Sequence, residues 1–232
     1  MLEYGDAIKQ KLEYGHATMD QLENHIEKAI QGFEKDNLFI DKIDANELGI
    51  EYYHRILLGV FHQVFRSSSS FALASASLGE RNQIAKDYLL HHAEEEKTHW
   101  VWILNDLAGT GYKGPDPRTL HPHYTTQGYF SYAMFLGSHF PMGRLCMAAV
   151  LEGISGSLGP KYGPRVMTLL KIKPEFMQFF KSHGELDQGH TQEVLEVIRK
   201  TELTDYEYWM MMGVAQNTAE LYKSIYNAAV SP

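Results

Sequence analysis

Seven stretches of this 232-residue chain place apolar residues at the three-to-four spacing of a helix face, and none reads as a convincing strand. Amphipathic helices can bury their stripes only against one another, so the expected fold is an all-α bundle of about seven helices. The first spans about Leu2 to Phe33, with a stripe through Leu12, His16, Met19, Leu22, His25, Ile26 and Ile30. A linker follows through Lys35–Ala45. The second helix runs from about Glu47 to Arg66, breaks at Ser67–Ser70 and resumes over Phe71–Leu78. The third starts near Gly79–Arg81 and continues to about Leu107. Gly109–Thr126, rich in Gly, Pro and polar residues, is the longest loop and is expected to cover a site or dock against a partner subunit. The fourth helix covers roughly Gln127–His139. Pro141 opens the fifth, which meets Gly153, Gly156, Gly159 and Pro160 and should kink or be interrupted there. Pro174 opens the sixth, through about Arg199, and Thr204–Ala229 forms the seventh. No low-complexity linker divides the chain, so residues 1–232 read as one domain.

Hydrophobic residues make up 44% of the chain and aromatics 12%, ample for a sizeable core. The net charge of −8 speaks against a nucleic-acid partner or an anionic membrane surface. No run of apolar residues is long enough to cross a membrane and MLEYGDAIKQ has no signal core, so the expectation is a soluble cytoplasmic protein. The single cysteine, Cys146, excludes internal disulfides and Cys-based zinc sites. Twelve histidines without thiols point instead to His and carboxylate metal sites or to acid–base chemistry.

The sharpest signal is SHGELDQGH in the sixth helix, which holds His183, Asp187 and His190. Positions i, i+4 and i+7 fall within roughly a 60° arc of one helix face, a preassembled set of metal ligands. A mixed N/O set without thiolate suits iron or manganese better than zinc. In the third helix, HHAEEEKTHW places Glu96 and His99 at the Glu-x-x-His spacing that di-iron bundles use. Glu95 and His92 share that face approximately and compete as ligands, while Glu94 should point outward. Glu152 lies in the otherwise apolar run CMAAVLEGISG, where a carboxylate is costly to bury unless it binds a metal or pairs with a cation such as Arg144. Glu96, His99, Glu152, His183, Asp187 and His190 supply three carboxylates and three imidazoles. Against two Fe(II) ions that leaves about one positive charge and open positions for O2 and substrate.

These residues carry a resemblance. EExxHWVWILNDL, AAVLEGISGSLG and HxxxDxxH, spanning about residues 80–195, resemble in order and spacing the haem-oxygenase-like superfamily. That superfamily includes TenA-type thiaminases, PqqC-type oxidases and the haem-oxygenase-like di-iron oxidases and oxygenases, and the last branch is the most similar. The resemblance implies a TenA/PqqC-like helical bundle, commonly dimeric, with two iron ions per chain and O2 as cosubstrate, oxidising or cleaving a small organic molecule. Carried over residue by residue, it returns the same six ligands, with Glu95 or His92 in reserve for Glu96. LEGISGSLG also resembles the glycine-containing distal helix of haem oxygenases, but Met19 stands where their axial His precedes a Leu–Glu pair. Thiaminase-type members need a nucleophilic Cys, and Cys146 sits in an apolar context suited to a core residue. Three alternatives remain open: an aminopyrimidine hydrolase of TenA type, an oxidase using the same His and Tyr residues without metal, and a non-catalytic binding protein. WMMMGV, with Tyr206, Tyr208 and Trp209, reads as core or a dimer face.

Overall fold

The computed structural model describes residues 15–231, and of residues 81 and 185–188 the backbone alone. The described residues form ten α-helices and no strand: α1 (Met19–Gly32), α2 (Leu38–Asp44), α3 (Ile50–Val64), α4 (Ser67–Ser77), α5 (Gln83–Glu96), α6 (Trp100–Gly109), α7 (Tyr124–His139), α8 (Pro141–Leu170), α9 (Gln178–Arg199) and α10 (Asp205–Val230). The count exceeds seven because two expected helices divide, one of them close to the break expected at Ser67–Ser70, and the expected linker holds one more. The third divides into α5 and α6 at Lys97–His99, and the second breaks at Phe65–Arg66, so that Ser67–Ser70 form the first turn of α4. The expected linker holds α2, whose Asn37 side chain caps the N–H groups of Phe39 and Ile40 while Phe39, Ile40 and Ile43 enter the core. α1 starts at Met19 because Thr18 and Gln21 close a capping box; Leu12 and the rest of its expected first turns lie outside the described residues.

α8 organises the bundle. From Met142 to Val150 every residue is buried, as a helix hydrophobic all round must be, and α1, α4, α5, α7, α9 and α10 pack on it. Leu22 and Ile26 of α1, Ile56 and Phe61 of α3 and Met211 of α10 fill the core around it, each worth roughly 1.5–3 kcal/mol of transfer free energy. Met211 and Met212 place part of the WMMMGV segment in that core. The long loop packs its buried Pro117 near α3 and leaves His121, His123 and Tyr124 exposed. No helix among the described residues is long and apolar enough to cross a membrane.

Of the kink or interruption expected in α8, the interruption does not occur: the helix runs through Pro160 and Pro164. Each proline follows a glycine, Gly159 or Gly163, and a residue without Cβ escapes the clash that ordinarily excludes the position before proline from helical geometry. Gly159 has a second duty: a Cβ there would lie 3.0 Å from the Gly184 Cα, so α8 and α9 cross backbone to backbone. Gly159→Ala is therefore expected to destabilise the fold by about 1–3 kcal/mol, despite alanine's higher helix propensity, as read from the urea midpoint. An unchanged or raised midpoint would show that α9 yields at this crossing.

Candidate metal centre

Three parts of the bundle converge between α5, α8 and α9. The last turn of α5 carries His92 and Glu96, and His99 stands in the turn before α6. Glu152 projects from α8, and α9 carries His183 and His190 seven residues apart. α9 is held in place by Asp106 of α6, which is fully buried and accepts the Gln178 N–H at 2.7 Å and the Phe179 N–H at 2.8 Å. The Phe179 carbonyl in turn accepts from His183 Nδ1 at 2.9 Å. That bond fixes the tautomer and leaves Nε2 as the coordinating atom.

Glu96, His99 and His183 each offer a ligand atom within 4.8 Å of the others. His99 Nδ1 lies 3.0 Å from Glu96 Oε1, and the His99 and His183 rings meet edge to face at 5.0 Å. A second group adjoins the first. His92 Nε2 lies 3.3 Å from Glu152 Oε1 and 4.0 Å from Glu96 Oε1, and its ring is 6.0 Å from that of His190. Glu96 is thus common to both groups. Five of the six expected ligands come together, and the Asp187 side chain lies outside the described residues. Glu94 is exposed, and Glu95 turns to His91 and His92 at the rim, at 3.4 and 3.6 Å.

His92 stands inside the cluster, not in reserve. The signal for it is in the sequence: His92, Glu96 and His99 repeat the i, i+4, i+7 spacing of His183, Asp187 and His190. Burial against Phe71 and Tyr88 pulls the His92 imidazole down to about 4, so at pH 7 it is neutral and its lone pair is open to a metal. Burial pushes the Glu96 carboxyl up, but the His99 contact and the charges of His183, His99 and His92 outweigh it and hold the group at about 2. An ionised carboxylate among imidazoles, with no thiolate, is a donor set suited to iron.

Other chemistries fit less well. Cys146 is fully buried, its thiol donates to the Met211 carbonyl at 3.1 Å, and burial pushes it far above the usual thiol range. A Cβ on Gly153 would strike Ile30 and one on Gly159 would lie 3.0 Å from the Gly184 Cα, so these two glycines of α8 serve helix packing. Trp102 stacks on His99 at 4.1 Å and Phe179 lies 4.4 Å from His183, walling the centre with aromatic rings.

A domain of unknown function with a heme oxygenase-like fold from Shewanella denitrificans OS217 superposes with a TM-score of 0.82 at 21% identity, covering 92% of each chain. A TenA homologue from Pseudomonas syringae pv. tomato DC3000 gives 0.68 at 16% identity over 93% of each chain. A TenA homologue from P. horikoshii OT3 gives 0.70 at 11% identity, covering 92% of this chain and 98% of the other. At these identities the likeness establishes the haem-oxygenase-like, TenA-like fold and nothing finer. No curated protein matches the sequence. The family model described as iron-containing redox enzyme matches residues 60–221, a span that contains every candidate ligand, and on that match the chain belongs to the family of iron-containing redox enzymes.

Proposed function

We propose that this protein is a non-haem di-iron oxidase or oxygenase that uses O2 to oxidise or cleave a small organic substrate. The observation that carries the reading is the meeting of Glu96, His99 and His183 within 4.8 Å, with His92 and Glu152 adjoining through the shared Glu96. Glu96, His99 and His183 would hold one iron, and His92, Glu152 and His190, with Asp187 from the same α9 stripe, the other. Bound iron supplies the redox chemistry of O2 reduction. The chain's own residues do the rest. The Phe179 carbonyl keeps His183 in one tautomer, Glu96 stays ionised at neutral pH, and His92, facing Glu152, stays neutral and so keeps its lone pair for a metal. Trp102, Phe179 and Phe71 keep bulk water from the imidazoles they touch. The same reading makes the enzyme a cytoplasmic homodimer with a small-molecule substrate.

Elemental analysis after anaerobic Fe(II) loading should find about two irons per chain in the wild type and a clear loss in His190→Ala, with an O2-dependent absorption change in the wild type alone. Iron at background in both proteins would move the activity to metal-free chemistry.

A further inference from the structure

Arg144 takes no part in the site as described, yet it lines the same cavity as His92, Glu96, Glu152 and His183. It stands in the first turns of α8, only 3% exposed. Its guanidinium lies over the Phe71 ring, 3.5 Å from the centroid, and Nε donates to Ser70 Oγ at 3.0 Å. These contacts fix the plane of the group. Nη1 is buried with no hydrogen-bond partner. A buried cationic N–H without an acceptor is costly and uncommon in native proteins. Burial pulls the Arg144 side chain below its ordinary value, and Tyr129, Glu96 and Glu152 oppose that pull. The two carboxylates that offset its charge are the ones the proposed centre commits to metal, so in the loaded protein Arg144 calls for another anion.

The space beside it says more about that anion. The metal cavity adjoins a second one, and Ser155 and Tyr222 line both. The second cavity is walled by Phe33, Ile154, Leu158, Val166 and Phe180, almost wholly apolar. A molecule spanning the two would be charged at one end and apolar along the other. We propose that Arg144 anchors the carboxylate of the substrate, whose apolar body lies in the adjoining cavity: the substrate is an organic acid with an apolar chain or ring. A planar guanidinium fork pre-oriented by Ser70 and Phe71 matches a carboxylate bidentately, and it would fix which carbon faces the metal ligands. The assignment rests on the di-iron reading for its orientation toward the ligands.

The test is calorimetric binding of octanoate and its neutral analogue octanamide to the anaerobic Fe(II)-loaded protein, with iron content measured in every sample. Octanoate should bind about tenfold or more tightly than octanamide. Arg144→Met and Arg144→Lys should each lose about tenfold or more in octanoate affinity at unchanged iron content, because a lysine cannot reproduce the fork. Leu158→Phe, which fills the apolar cavity, should weaken octanoate more than butanoate. Should Arg144→Met fail to fold by circular dichroism, Arg144→Lys carries the comparison. Octanoate binding that is absent, equal to that of octanamide, or unaffected in the Arg144 variants overturns the anchor. Because iron is read separately, iron loading without Arg144-dependent binding sinks the anchor alone. Arg144-dependent binding in a protein that takes up no iron sinks the di-iron reading alone.

Discussion

Glu96→Gln should abolish the metal centre more completely than any other single substitution. Glu96 is the residue the two halves share: its carboxylate lies 3.0 Å from His99, 4.0 Å from His92 and within ligand distance of His183. Glutamine keeps the shape and removes the charge. It therefore takes one negative charge from both metal positions at once, where His190→Ala takes a neutral donor from one. Outer partners of metal ligands are worth 10–100-fold in affinity, so a shared ligand should cost at least ~100-fold in Fe(II) binding. At a fixed metal concentration the consequence is thermal. A ligand present at about 100 times its dissociation constant stabilises a protein by about 2.7 kcal/mol, and Glu96→Gln should lose most of that increment. Differential scanning calorimetry with and without Fe(II) would read it. A variant that keeps the wild-type metal-induced shift would mean that Glu96 is not a ligand. Glu95→Gln serves as the control: that side chain is exposed at the rim, and its substitution should leave the shift nearly intact.

The sequence made some of this legible and left the rest hidden, for physical reasons that differ by residue. His183 and His190 stand out because one helix carries both, and helical period alone sets them on one face. Glu152 stands out because an acid inside CMAAVLEGISG contradicts its apolar surroundings. His99 is legible by spacing from Glu96, although the helix presumed to link them ends between the two, and His99 occupies a turn. The break at Lys97–His99 and the short α2 were illegible because tertiary packing decides them, with no Gly or Pro to mark the first and only seven residues in the second. The reverse happened in α8. Its glycines and prolines read as a kink or an interruption, yet the helix continues, because the glycines relieve the prolines and admit α9, a fact visible only once Gly184 is in place. Arg144 stood in the sequence as the alternative to a metal beside Glu152; that carboxylate does support its charge, but the side chain its Nε bonds is Ser70, seventy-four residues away in sequence.

Asp106 is the residue whose importance no local pattern suggests, since in WVWILNDLAG it reads as one polar position in an apolar helix. Its partners are seventy-two and seventy-three residues downstream, where it receives two of the first N–H groups of α9. Asp106→Ala strands both in a buried place. At about 1–3 kcal/mol for each unsatisfied donor, the expected loss of unfolding free energy is roughly 2–5 kcal/mol. Nor should the damage stop at stability. The Phe179 whose N–H is capped is the residue whose carbonyl orients His183, so fraying this turn releases the imidazole tautomer, and Fe(II) affinity should fall as well. The carboxyl also gives a pH signature. Burial pushes it up to about 6, against the downward pull of the Phe179 and Gln178 N–H groups, whereas an unfolded Asp titrates near 3.8. Between those values the folded protein binds the extra proton, so the contribution of Asp106 to stability falls as pH rises from about 4 to about 6 and is flat above. A shift of this size is worth on the order of 2–3 kcal/mol across that window. Urea unfolding of the metal-free protein, wild type against Asp106→Asn, isolates the effect, because asparagine fills the same space and does not titrate. The difference between the two free energies should shift against the wild type as pH rises through the window and then level off. A difference independent of pH would mean that the two N–H bonds already hold Asp106 ionised throughout, and that its role is wholly that of a helix cap.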